Sequence, residues 1–262
     1  MGTLLRLLEA LLLTGMGAFM VWLSGSSIYW QLLNPRYSWL TLTAGAIFVL
    51  LGIAHLFHAG CKGRVAQLLS IAIFLGLTGM AVLGPDTFTP PSPPPGGGYT
   101  GGSLTRSYDD EAPPPQPAIT VDGVTYTRLN LAELLAGEDG GWTRENERYA
   151  VQGTVLRSPE LDKAGYIAVV RLYVYCCFAD AVGVVALVAV DDPTGYRQGT
   201  WVRVLGTLTR GAPFPGQTFN VTGAFSTARS DTYVITADQV KETAIEGVPF
   251  ILDINREPPF AY

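Results

Sequence analysis

Charge is what this sequence is short of. Only 15% of its 262 residues are Asp, Glu, Lys or Arg, against about 25% in an ordinary soluble domain. Histidine is scarcer still, with two in the chain, at positions 55 and 58. A Ser-His-Asp set therefore cannot be assembled from the C-terminal half. Three unevenly placed cysteines are too few for a disulfide scaffold. A G-x-x-x-x-G-K-[ST] phosphate loop is missing, and the Gly-rich stretch at 96–102 sits among prolines rather than between a strand and a helix. No enzyme is expected.

The few charges are unevenly spread. Residues 1–117 hold five basic and five acidic side chains, so the remainder carries the whole net charge of −5. An acidic C-terminal half repels phosphate backbones, which argues against nucleic acid as a partner.

What the first third does have is long apolar runs. No charged residue occurs from Ala10 to Asn34, from Tyr37 to Cys61, or from Val65 to Pro85. A hydrocarbon core of about 30 Å needs about 20 apolar residues at a rise of 1.5 Å each. Helices are the open-ended way to satisfy a backbone in lipid. Three spans are expected, near Leu4–Leu23, Trp39–Phe57 and Val65–Leu83, which makes this an integral membrane protein. The first reads as a retained anchor rather than a removed signal, because Glu9 interrupts its start, the run is long, and no A-x-A site follows. Arg6 and the amino terminus flank one side, Arg36 the first loop, and Lys62 and Arg64 the second. That balance predicts a cytoplasmic N-terminus and a C-terminal domain outside the cytoplasm. Tyr29, Trp30, Tyr37 and Trp39 crowd the first loop as an interfacial aromatic belt does.

Pro85–Pro117 is a tether: 33 residues with ten Pro and five Gly. Such a segment buries no core, and in polyproline geometry it reaches on the order of 100 Å. The chain thus divides into a transmembrane part (1–84), a linker (85–117) and a soluble β-rich domain (118–262). In that domain Ile119–Leu129 reads as two strands around Asp122-Gly123. Asn130-x-x-Glu133 opens a short helix, Leu131–Ala136, closed by Gly137. Alternating strands are expected at Tyr149–Arg157, Tyr166–Cys177, Val184–Val190, Thr200–Thr209 and Thr232–Thr236, with a helical turn at Ala237–Glu242. Five strands in roughly 90 residues suit a small closed barrel. The run from Gly199 to Leu208 has the G-x-x-V-x-V-x-G-x-L pattern often seen in OB-folds, with Gly206 supplying the curvature. A β-sandwich fits nearly as well.

Two motifs point to a family. The first loop reads Leu33-Asn34-Pro35-Arg36-Tyr37-Ser38, and the β-rich domain carries Arg171-Leu-Tyr-Val-Tyr-Cys176-Cys177-Phe-Ala179-Asp180-Ala181. Both, in this order, resemble the YcgQ-like family of bacterial membrane proteins, which has N-terminal membrane helices, an N-P-R-Y loop and a C-C-x-A-D motif. The resemblance implies a two-component assembly with a permease. It brings no reaction.

Candidate sites follow from residue chemistry. Consecutive strand residues point to opposite faces. Leu172, Val174 and Cys176 would then face a core, and Arg171, Tyr173, Tyr175 and Cys177 the other side. On that reading Cys176 is a small buried hydrophobe. The competing reading makes Cys177 and Asp180, with Cys176 at a strand end, ligands for a soft or borderline metal or partners in redox exchange. His55, His58 and Cys61 cluster at the end of the second span. They are either interfacial polar residues or ligands for zinc, copper, haem or a chlorophyll magnesium. Asn34, Pro35, Arg36 and Tyr37 are either a helix stop with a headgroup anchor or a contact to a partner subunit. Three roles stay open: an accessory subunit on an integral membrane partner, a metal- or redox-handling protein, and a structural subunit of a respiratory or photosynthetic complex.

Overall fold

The computed structural model describes residues 2–26, 29, 32–57, 117–214, 219–245 and 248–260. The expected third span, the tether up to residue 116, His58 and Cys61 lie outside these residues. The chain divides into two units, Met1–Pro90 and Pro91–Tyr262.

The described residues of the N-terminal unit form an antiparallel helix pair, α1 (Gly2–Ser24) and α2 (Ser38–Phe57). Both are long and apolar enough to cross a membrane. Small residues let their backbones touch. A Cβ on Gly17 would come within 2.6 Å of the Gly45 carbonyl oxygen, and one on Gly45 within 2.9 Å of the Gly17 oxygen. Gly52 packs on Ala10 and Thr14 in the same way. At the far end the Tyr29 and Thr41 hydroxyls are hydrogen-bonded at 2.7 Å. Gly45→Ile is expected to force the helices apart, costing about 1–3 kcal/mol. The check is a lowered melting temperature of the helical circular-dichroism signal in detergent.

The connection is built by Asn34. Its side chain accepts a hydrogen bond from the Arg36 amide at 3.0 Å and caps a short 3₁₀ turn, Pro35–Tyr37, that leads straight into α2. Asn34 is buried, while Arg36 is exposed.

The C-terminal unit begins with a hairpin, β1 (Ala118–Val121) and β2 (Val124–Arg128), around Asp122-Gly123. Helix α3 (Leu131–Gly140) follows, with the capping box of Asn130 and Glu133 in place. It runs past the expected stop at Gly137, which packs against Thr143 and Trp142, and ends on Gly141 instead. The remaining strands are β3 (Arg148–Leu156), β4 (Tyr166–Tyr173), β5 (Val182–Ala189), β6 (Trp201–Arg210), β7 (Ser226–Arg229) and β8 (Tyr233–Glu242). Ser158 caps a short helix, α4 (Pro159–Ala164), by accepting a hydrogen bond from the Leu161 amide.

Five of these strands close a barrel. β3 pairs β4, β4 pairs β5, β5 pairs β8, β8 pairs β6, and β6 returns to β3. Every seam is antiparallel except β5–β8. Closure settles the choice between barrel and sandwich. The free edge of β5 is shared, with Val182–Val185 taken by β7 and Val188–Ala189 by β8. The interior is filled with aliphatic side chains, among them Val151, Val155, Ile167, Val169, Val184, Val188, Val202, Val204 and Ile235. At Gly206 the β6–β8 register slips, and a Cβ there would be driven into the Thr236 carbonyl oxygen and within 2.6 Å of the Ile235 methyl group.

Three expectations are overturned. Residues 237–242 are not a helical turn but the second half of β8, held in register by β6. β4 stops at Tyr173, so Cys176 and Cys177 are not strand residues and Cys176 is exposed rather than in the core. The face assignment along β4 is also reversed. Ile167 and Val169, which share their parity with Arg171, lie in the barrel interior, whereas Ala168 and Val170 join a second cluster with Leu161 and Phe219 outside it. Both faces of β4 are covered, so apolar alternation along it does not mark the inside.

Candidate functional site

The site grows from the end of β4. Arg171, buried at 6% exposure, donates from Nη2 to the Val248 carbonyl at 2.8 Å and from Nε to that of Pro249 at 3.2 Å. Its guanidinium lies 5.5 Å from the centre of the Trp201 ring. Next to it the Ile251 amide donates to the Leu172 carbonyl at 2.7 Å, and the Val174 amide to the Ile251 carbonyl at 2.9 Å. The C-terminal segment thereby clasps β4 where it ends.

Beyond this clasp the chain turns through residues 175–181. Val174 and Ala181 are buried at the two ends of the loop together with Leu252, and Phe178 stacks edge-on against Phe250 at 4.7 Å. With both ends pinned, the loop top is shaped by Asp180. Its carboxylate accepts hydrogen bonds from the Cys176 amide (3.0 Å), the Cys177 amide (3.4 Å) and the Cys176 thiol (2.7 Å). The two sulfurs are 3.7 Å apart. Among the described residues, Cys176, Cys177 and Asp180 form a group whose ligand atoms all lie within 4.8 Å of one another.

The Cys176 thiol is pushed up to about 12 by its hydrogen bond to Asp180, then by partial burial and the adjacent Cys177 sulfur. A thiol that stays protonated at neutral pH is a poor nucleophile, which sets Cys176 apart from an activated cysteine. A bound cation strips the proton from a coordinating thiol outright, so metal ligation is not blocked in the same way.

Among the described residues of this unit, two large apolar side chains stand out of its surface: Tyr175, 59% exposed, and Phe225, 83% exposed. Tyr175 adjoins Cys176, and the Phe225 amide donates to the Ala181 carbonyl at 2.7 Å. Both therefore flank the same loop. The exposed apolar signal was hidden in the sequence because these residues lie fifty positions apart.

The second candidate cluster is only partly visible. His55 is described, and its Nε2 meets Glu9 Oε2 at 2.9 Å across the helix pair. Glu9 is buried at 7% exposure. Sequence reasoning missed this partner, although an antiparallel hairpin brings the start of the first apolar run beside the end of the second. The pairing commits Nε2 of His55 to a carboxylate. Asn34 in the loop motif serves as a cap, while Arg36 stays exposed and Tyr37 half-buried.

The architecture is that of a helix hairpin followed by a five-stranded barrel with a thiol–carboxylate loop at one clasped strand end. Residues 143–222 match the DUF1980 C-terminal domain, an uncharacterised domain family. The match takes in β3 to β6 and the Cys176–Asp180 loop and stops short of β7 and β8. No curated protein matches the chain.

Proposed function

We propose that this protein is a non-enzymatic, membrane-anchored accessory subunit whose C-terminal barrel is an OB-fold that docks on an integral membrane partner. α1, α2 and the apolar run at 65–83 hold it in the bilayer, and residues 85–117 tether the barrel. The observation that carries the docking is the pair of aromatics flanking the 175–181 loop, Tyr175 and Phe225, the exposed large apolar side chains among the described residues of this unit. Aromatic side chains of this kind are the usual anchors of protein interfaces.

Membrane insertion is supported by how little of the two apolar helices the protein itself buries, 22% and 11% of the candidate spans. A core helix of a soluble domain is mostly covered. The OB reading is supported by strand order around the barrel, which runs first, second, third, fifth, fourth with a parallel seam between third and fifth. Lys and Arg in the flanks favour a barrel outside the cytoplasm. The YcgQ-like resemblance favours a permease as partner.

The test is site-specific photo-cross-linking in cells with a benzophenone amino acid at 175 and 225, and at the exposed Thr125 of the β1–β2 hairpin as control. Adducts to a membrane protein are expected from the first two positions. Tyr175→Ala with Phe225→Ala should lower co-purification of that partner at least tenfold while leaving barrel stability within about 0.5 kcal/mol, as surface changes do. A solitary monomer in mild detergent, with no adduct at either position, overturns the proposal. Co-migration with a large respiratory or photosynthetic assembly on native gels would reassign it to that assembly.

A further inference from the structure

We infer that Cys176, Cys177 and Asp180 form an exchangeable binding site for a soft or borderline divalent cation of the zinc and cadmium class. The inference goes beyond the docking reading and does not depend on it.

The first argument is donor chemistry. Two sulfurs and one carboxylate suit zinc or cadmium and do not suit magnesium or calcium, which take shells of oxygen. The second is spacing. Two zinc–sulfur bonds of about 2.3 Å at a tetrahedral angle place the sulfurs about 3.8 Å apart. The observed separation is 3.7 Å. The same geometry asks for about 3.6 Å between sulfur and carboxylate oxygen. Cys176 Sγ and Asp180 Oδ2 stand at 2.7 Å, joined by the thiol hydrogen. An ion taking the place of that hydrogen moves the oxygen outward by about 0.9 Å, within the reach of one side-chain torsion.

The third argument is preorganisation. Val174, Ala181, Phe178, Phe250 and Leu252 fix the loop from below, so its shape does not depend on an ion. Site-forming loops usually require such support. Cys176 is exposed and Asp180 half-buried, which leaves a fourth tetrahedral position open to water or to a ligand from a partner. Closed four-ligand sites are structural, whereas this one exchanges its ion. Binding forms two metal–sulfur bonds and one metal–oxygen bond. Each thiol gives its proton to solvent, so one divalent ion displaces two protons and no oxidation state changes.

The experiment uses the full chain in detergent with Cys61→Ser, so that Cys176 and Cys177 are the remaining thiols. Titration with cadmium is expected to raise an ultraviolet thiolate-to-metal band that saturates at one ion per chain. Cys176→Ser and Cys177→Ser should each remove at least half of that band. Asp180→Asn should weaken binding at least tenfold while the band at saturation keeps its height. X-ray absorption of the zinc-loaded chain, which needs no further variant, should show two sulfur neighbours at about 2.3 Å. A zinc shell without sulfur, or a cadmium band unchanged by Cys176→Ser and Cys177→Ser, overturns the inference.

Discussion

Gly206→Val is expected to abolish folding of the C-terminal barrel. The added side chain has nowhere to go. Its Cβ alone would strike the Thr236 carbonyl oxygen and come within 2.6 Å of the Ile235 methyl group and 3.1 Å of the Ala237 Cα. Two of these obstacles are backbone, which no rotamer change can relieve. Relief requires β6 and β8 to separate at the bulge between Leu205 and Gly206, where the barrel closes. The loss comes to several kcal/mol against a total stability of about 5–15 kcal/mol for a typical domain. The measurement is thermal unfolding of the detergent-solubilised chain with trypsin resistance as a second readout. A cooperative transition within about 2 °C of the parent would show that the seam tolerates a side chain.

The second large effect is expected from Glu133→Ala. Glu133 is fully buried. Its two carboxylate oxygens accept different backbone hydrogens, Oε2 from the Asn130 amide at 2.9 Å and Oε1 from the Asn255 amide at 2.8 Å. One oxygen completes the cap of α3 while the other ties that helix to the C-terminal segment. Alanine strands both donors, at about 1–3 kcal/mol for each. A loss of about 2–5 kcal/mol follows, together with fast hydrogen exchange around Asn255. Glu133→Gln should lie in between, because its amide nitrogen turns a donor toward one of the two N–H groups. Protection at Asn255 that survives Glu133→Ala would refute the tie.

These two residues mark what the sequence does and does not disclose. The Asn130–Glu133 cap and the need for a small residue at position 206 are both local, one a spacing of three and the other a glycine inside an alternating strand. The bond from Glu133 to Asn255 spans 122 positions and leaves no local trace. Residues 237–242, Ala-Asp-Gln-Val-Lys-Glu, lack β-branched residues apart from Val240 and read as helix-compatible. They are strand because β6 offers them a ladder. The Cys176–Asp180 loop was misplaced for a related reason. Nothing in Tyr173-Val174-Tyr175 announces that β4 ends there. It ends because Ile251, from the other end of the domain, takes up its last hydrogen bonds. Arg171 is the same case: carbonyls at 248–250 allow an arginine to be buried.

The place of β8 has a consequence for how the domain is made. Residues 233–242 are its last strand in synthesis, yet they wedge between β5 and β6, which are already paired elsewhere. Until that wedge arrives, β3, β4, β5 and β6 form an open sheet whose β6 margin is bare and whose β5 margin is covered only at Val182–Val185, by β7. Bare margins invite pairing with foreign chains, and such distant pairings are slow to find. A nascent or nicked chain cut short of residue 233 is therefore a sticky half-cylinder rather than a smaller version of the domain.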